Sequence, residues 1–238
     1  MRWRRGPYWL GDEPFFPPPE CAHESGLLAV GGKLEPEWLL SAYRAGIFPW
    51  PSSDVEPMLW FSPDPRCVVI PSELHVSRRL SRVLRQGRFE IRLDTAFEAV
   101  MRACSEAPRP DQDGTWITEP MVSAYVRLHE LGHAHSVETF RDGRLVGGIY
   151  GIALGGVFFG ESMFHREADA SKAALVALAR GLGAWGYALL DCQMETEHLL
   201  RMGARSIPRE RFLARLEHAL ALPGREAPWP PSFPPDAL

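Results

Sequence analysis

The chain predicts an α+β fold: a mixed sheet flanked by helices, preceded by a small N-terminal domain. Three observations carry this. The first 65 residues crowd Pro and Trp into FFPPPE, IFPW and WFSPDPR, too proline-rich for strands of a main sheet. From Arg66 onward, short β-branched runs alternate with amphipathic helical patterns. Residues 145–160, LVGGIYGIALGGVFFG, carry no charge, and their glycine breaks suit two adjacent strands. The run is too short for a membrane span, which needs about 20 apolar residues. The domains expected are 1–65, a small N-terminal domain, and 66–238, a larger domain with a Pro-rich tail.

Each element has a local reason. EPEWLLSAYRAG is a short helix that Gly46 stops. CVVIP is a strand. HVSRRLSRVLRQG is a helix ending at Gly87, with Val76, Leu80, Val83 and Leu84 on its buried side. FEIRL is a strand, and Asp94 is expected to cap the helix that follows, through about Cys104. SEAPRPDQDG at 105–114 is a polar loop. Thr118 opens a helix through Leu131, with Pro120 in the tolerated first turn. Residues 135–141 and 144–163 form an antiparallel meander around an Asp142-Gly143 hairpin turn. Asp169 to Gly186 is a helix, YALLDCQ a strand, and two short helices follow. The tail PGREAPWPPSFPPDAL has no regular period and reads as a strap or a loose end. Mixed strands around a central meander suggest an acetyltransferase-like (GNAT-like) sheet.

Composition narrows the function. Net charge is −4, so the chain is not globally basic, which still leaves room for a local basic face toward nucleic acid. Cys21, Cys67, Cys104 and Cys192 are scattered without CxxC spacing, which reads as reduced thiols of a cytoplasmic protein. MRWRRGPYWLGDEP has charge but no apolar core of a secretory signal.

Two polar clusters flank one apolar helix: GESMFHREADASK at 160–172 and LDCQMETEH at 190–198. Asp191 and Gln193 are two apart on a strand, so both side chains take one face with Leu189, while Leu190 and Cys192 take the other. Such a pair is a catalytic constellation or a cap for the next helix. Glu161 closes an apolar stretch, at a wet strand end or inside a pocket. Phe158, Phe159, Met163 and Phe164 around it are core or the wall of an apolar pocket. Arg78, Arg82 and Arg85 share one helix face, either solvated or a phosphate-binding stripe. Trp50, Trp60 and Trp116 lie in loops, where indoles stack on bases or cover the core. HELGH at 129–133 matches the HExxH signature of zinc metallohydrolases, the rival enzymatic reading. That chemistry needs both histidines on one helical face, and Gly132 stops the helix between them. GLLAVGG is neither GxGxxG nor a P-loop, and no pyrophosphate loop of acyl-CoA enzymes precedes a helix.

Taken together and in order, FPPPE, GLLAVGG, SAYRAGIFPW, LWFSPDPR, GTWIT, AYVRLHELGHAHSVE, LVGGIYGIALG, FFGESMF, ASKAALVALA, LLDCQ and EHL…GA…IPR resemble the leucyl/phenylalanyl-tRNA–protein transferase family. The resemblance spans residues 15 to about 212 and absorbs HELGH as part of a family block. Lys33 stands where an acid is expected, Phe61 where Trp is usual and Asp169 where Asn is usual. The resemblance implies transfer of Leu or Phe, weakly Met, from Leu-tRNA or Phe-tRNA to proteins beginning with Arg or Lys, which then enter N-end-rule degradation. It implies no metal or nucleotide cofactor and no membrane. It implies catalytic roles for Gln193 and Asp191; beside it, Glu161 is expected to hold the acceptor's N-terminal residue or amine, Trp50 and Trp116 the terminal adenosine, Phe158, Ser162 and Met163 the donor's side chain, and Arg78, Arg82 and Arg85 tRNA phosphates.

Overall fold

The structure, a computed structural model, describes residues 6–51, 57–108 and 115–233. In chain order the elements are β1 (Tyr8–Trp9), β2 (Leu27–Val30), α1 (Pro36–Arg44), β3 (Phe48–Pro49), β4 (Leu59–Phe61), β5 (Arg66–Val69), α2 (Arg78–Arg85), β6 (Glu90–Leu93), α3 (Phe97–Glu106), α4 (Glu119–Glu130), β7 (Ala134–Arg141), β8 (Arg144–Leu154), β9 (Val157–His165), α5 (Ala170–Ala184), β10 (Leu189–Gln193), α6 (Glu197–Arg201), β11 (Arg205–Ile207) and α7 (Arg209–Leu220).

Local chemistry explains most boundaries. Ser77 and Thr118 cap α2 and α4, their hydroxyls accepting the Leu80 and Met121 N–H groups. Gly46 follows α1 at φ +74°, where a side chain is disfavoured. Asp142 and Gly143, at φ +50° and +73°, make the tight β7–β8 turn. Asp94 does not cap α3, contrary to expectation. The cap residue is Ala96, while the Asp94 carboxylate reaches across to β7, accepting the Ser136 N–H at 2.8 Å and meeting His135 Nδ1 at 2.7 Å. In the 105–114 segment, α3 runs on to Glu106, and 109–114 lie outside the described residues. The chain start, 1–5, and the tail end, 234–238, lie outside them too.

Two sheets form. The small one, β1-β2-β4-β3, comes from the proline-rich N-terminal segment, which the sequence had given only a helix. The large one has seven strands in the order β11-β5-β10-β9-β8-β7-β6. All its pairs are antiparallel except β9 with β10, which α5 connects. The short strand β11 was also not expected.

The large sheet separates two apolar layers. One holds α1, α3, α4 and α7 with Phe159 and Leu189. The other holds α2, α5 and the tail with Phe158, Leu190 and Met163. Trp229 and Phe233 of the tail are buried, and the Leu93 N–H donates to Pro231 O, so the tail is a strap.

The β8–β9 register carries the irregularity that matters most. Tyr150 pairs with Ser162 and Gly151 with Gly160, leaving Glu161 as the extra residue. Phe159 and Phe164 consequently share one layer although an odd number of residues apart, and Phe158 and Met163 share the other. Gly151 is needed opposite: a Cβ there would meet Phe159 O at 2.1 Å.

Candidate active site

β9 and β10 run parallel, so their C-terminal ends lie side by side, the place where open α/β sheets hold ligands. Asp191 pairs with Phe159 in register. Two residues further along each strand, the Gln193 carboxamide Nε2 donates to Glu161 Oε1 at 2.9 Å. Gln193 has φ +56°, a left-handed conformation that a non-glycine residue adopts at roughly 1–3 kcal/mol and only when its surroundings enforce it.

Arg66 and Asp191 supply the enforcement. Asp191 is fully buried, and Arg66 beside it is equally inaccessible. Arg66 Nε donates to Asp191 Oδ1 at 2.8 Å and Nη2 to Oδ2 at 2.6 Å, a bidentate fork. Nη1 donates to Gly46 O at 3.1 Å, and the guanidinium lies over the rings of Phe48 and Phe212 at 4.8 and 4.5 Å. Asp191 Oδ1 then accepts the Gln193 backbone N–H at 3.0 Å. Asp191 thus holds the backbone of Gln193; the Gln193 carboxamide is held by Glu161.

Glu161, the second buried carboxylate at this strand end, is only 9% exposed. Tyr125 donates to its Oε2 at 3.1 Å, and the Tyr43 and Tyr125 hydroxyl oxygens are 2.5 Å apart. Burial pushes the Glu161 carboxyl up to about 7, against the Tyr43 and Tyr125 hydroxyls, which pull it down. Burial first, and the charge of Glu161 second, drive both tyrosines well above the ordinary phenol range, so both stay protonated.

A cavity of about 120 Å³ opens here, lined by Phe48, Pro49, Trp50, Trp116, Glu161, Cys192, Gln193 and Met194. The rings of Trp50 and Trp116 are 6.4 Å apart at its wall. Burial holds the Cys192 thiol well above its ordinary range, so it is an inert wall group rather than a nucleophile. Larger hollows of about 430 and 570 Å³ lie elsewhere, the first between α2, α5 and α6, the second between α4 and the tail. Neither includes Gln193 or Glu161.

The structure therefore brings together four of the residues singled out from sequence: Glu161, Gln193, Trp50 and Trp116. Asp191 is on the expected side of β10 but behind the cavity, in the ion pair. Phe158 and Met163 do not line it; the register shift at Glu161 turns them to the opposite layer, against α5 and Trp229. Ser162, half-buried, is not in the lining either. Arg78, Arg82 and Arg85 are exposed on α2, whose Leu80 packs in that second layer. Sequence reasoning missed Arg66, Tyr43 and Tyr125. An arginine opening the apolar run RCVV was a signal for a buried partner; two tyrosines at core positions of helices carried none.

HELGH does not form a two-histidine helical face. The helix α4 ends at Glu130, Gly132 has φ +80°, and His133 falls outside it. His129 stacks on Phe97 at 4.4 Å and bonds Ala134 O through Nδ1 at 2.8 Å. Among the described residues no group of three His, Cys, Asp or Glu side chains could hold a metal ion.

Comparison with known proteins bears on the whole chain. Residues 68–217 match the leucyl/phenylalanyl-tRNA protein transferase family, and residues 32–64 match the N-terminal domain of that transferase. The leucyl/phenylalanyl-tRNA–protein transferase of Myxococcus xanthus is 55% identical over 93% of this chain and 95% of its own length. That of Thiobacillus denitrificans is 58% identical over 90% and 94%, and that of Aromatoleum aromaticum 60% over 87% and 88%. The chain belongs to the leucyl/phenylalanyl-tRNA–protein transferase family.

Proposed function

We propose that this protein moves a leucyl or phenylalanyl group, and methionyl weakly, from aminoacyl-tRNA to the α-amine of proteins beginning with Arg or Lys, marking them for N-end-rule degradation. The observation that carries this reading is the Gln193–Glu161 pair at the floor of a cavity walled by Trp50 and Trp116. An aminoacyl ester is already activated, so aminolysis is downhill and orientation supplies much of the rate. A carboxamide is a poor base but a good positioner. With its Nε2 committed to Glu161, the carbonyl oxygen of Gln193 is turned to accept an N–H of the incoming amine. Asp191 contributes by fixing Gln193 from behind.

In this reading Trp50 and Trp116 stack on the terminal adenosine. Phe158 and Met163, in the second layer, are assigned to the donor's apolar side chain, reached past Cys192, which borders both cavity and layer; Ser162, paired with Tyr150 on the first-layer side, is assigned to the substrate as well. Discrimination per methylene there is only ~1–3 kcal/mol, so rejection of β-branched side chains rests on shape. The lone parallel pair β9/β10 in an otherwise antiparallel sheet supports an acetyltransferase-like arrangement for residues 66–238, with 1–65 as the small N-terminal domain. A charged-tRNA donor places the site of action in the cytoplasm; no described helix is long and apolar enough to cross a membrane.

Labelled Leu-tRNA and Phe-tRNA offered with Arg-, Lys-, Asp- and Glu-starting peptides test the proposal. Label is expected on the Arg and Lys peptides; no transfer to any peptide would sink it. Arg78, Arg82 and Arg85 on α2 are assigned to tRNA phosphates. Replacing all three by Glu is expected to weaken tRNA binding and flatten its salt slope by about one per lost contact. Reaction with a short aminoacyl-adenosine should stay within about twofold; equal loss with both donors rejects the assignment.

A further inference from the structure

We infer that Tyr43 and Tyr125 are positioning residues: a two-hydroxyl donor chain that keeps Glu161 available as the proton acceptor for the α-ammonium of the incoming protein. The inference rests on the transferase reading and adds the group that receives the proton.

The geometry carries it. Tyr125 donates to Glu161 Oε2 at 3.1 Å, so in the 2.5 Å contact between hydroxyls Tyr43 is the donor to Tyr125. Gln193 donates to Oε1. Each carboxylate oxygen keeps a second lone pair for a substrate N–H, and Glu161 lines the cavity where the amine must arrive. The surrounding groups come from every packed element: Tyr43 from α1, Tyr125 from α4, Tyr150 from β8 against Tyr125, Asp191, Cys192 and Gln193 from β10, and Arg66 from β5. Asp191 and Arg66 act on Glu161 with opposite sign and are paired to each other. The two tyrosine hydroxyls are thus the adjustable influence on its proton affinity.

The step balances. The ammonium gives one proton to a Glu161 oxygen. The freed nitrogen lone pair attacks the ester carbonyl carbon; the C–N bond forms as the C–O bond to the ribose breaks. A second amine proton leaves on the ribose oxygen, and the proton on Glu161 passes to water as the product departs.

The test is the pH profile of kcat at saturating Leu-tRNA and Arg-starting peptide. Tyr125→Phe removes a hydrogen bond that favours the charged carboxylate, so the acidic limb is expected to move up by about one pH unit. At about pH 6 the rate should fall roughly tenfold, and at about pH 9 stay within about twofold, with the KM for Leu-tRNA unchanged. Tyr43→Phe should move the limb the same way. Limbs that stay in place in folded variants, or equal losses at every pH, overturn the inference. Should both variants fail to fold, isotope-edited infrared titration of carboxyl bands in the wild-type chain decides. A glutamic acid band titrating near neutral pH and missing from Glu161→Gln supports it; no such band overturns it. A wild-type chain that transfers nothing rejects the function reading instead, and the infrared titration does not depend on transfer.

Discussion

Asp191 and Glu161 occupy neighbouring strand ends, are both buried, and are treated oppositely by the fold. Asp191 meets a guanidinium through two hydrogen bonds. Glu161 meets hydroxyls and a carboxamide, all neutral. A buried charge with a formal counter-charge is fixed in place, and removing either partner leaves an uncompensated ion. A buried carboxylate held by neutral donors keeps a proton affinity near physiological pH. The first arrangement suits support, the second chemistry.

Separating the two carboxylates experimentally starts with the ion pair. Arg66→Met strands Asp191 and is expected to destabilise the chain by about 3–5 kcal/mol, read from urea midpoints. Adding Asp191→Leu should restore most of that stability by replacing the pair with apolar contacts. Transfer by the double variant should nevertheless stay well below wild type, because the Gln193 N–H has lost its acceptor. Full recovery of transfer would show that the pair does not support Gln193.

For Glu161 the comparison is sharpened by pH. Its folded-state carboxyl lies at about 7 against an ordinary 4.5, so between these values the native state holds more protons than the unfolded one. Its stabilising contribution is complete below about pH 4.5 and is lost as pH rises through about 7, roughly 3 kcal/mol in all. Glu161→Gln should remove this slope from stability measured at about pH 5 and 8, and an unchanged slope would assign it to other groups. The smallest effect is expected at Gln193. Replacing it by Gly relieves a left-handed backbone and should raise stability by about 1 kcal/mol while slowing transfer. A loss of stability would mean that the side chain's bond to Glu161 outweighs the strain.

What the sequence revealed, and what it hid, follows the range of the determining contacts. Thr118, Gly46 and the Asp142-Gly143 turn act within a few residues, and each was readable. Asp94 looked like a cap because capping is local, but its partners are on β7. The alternation rule placed Asp191 and Gln193 on one side of their strand, yet could not show that Arg66, far away in sequence, already filled the space before Asp191. It cannot show that Phe158 and Met163, five residues apart, share one layer, because a bulge is a property of two paired strands and leaves no mark on either alone. Glu161 was found because an acid closes an apolar stretch and the two tryptophans because they lie in loops, while the tyrosines behind Glu161 look like any other core residues.

The guanidinium of Arg66 is clamped between Phe48 on β3, 18 residues before it, and Phe212 on α7, 146 residues after it. During synthesis on a ribosome, the residues that set Gln193 are therefore incomplete until α7 has emerged and docked. A stalled nascent chain ending before Phe212 is expected to show no transfer, measured with labelled Leu-tRNA, even though Glu161 and Gln193 have both been made. Support for Gln193 would thus wait on a segment made after Gln193 itself.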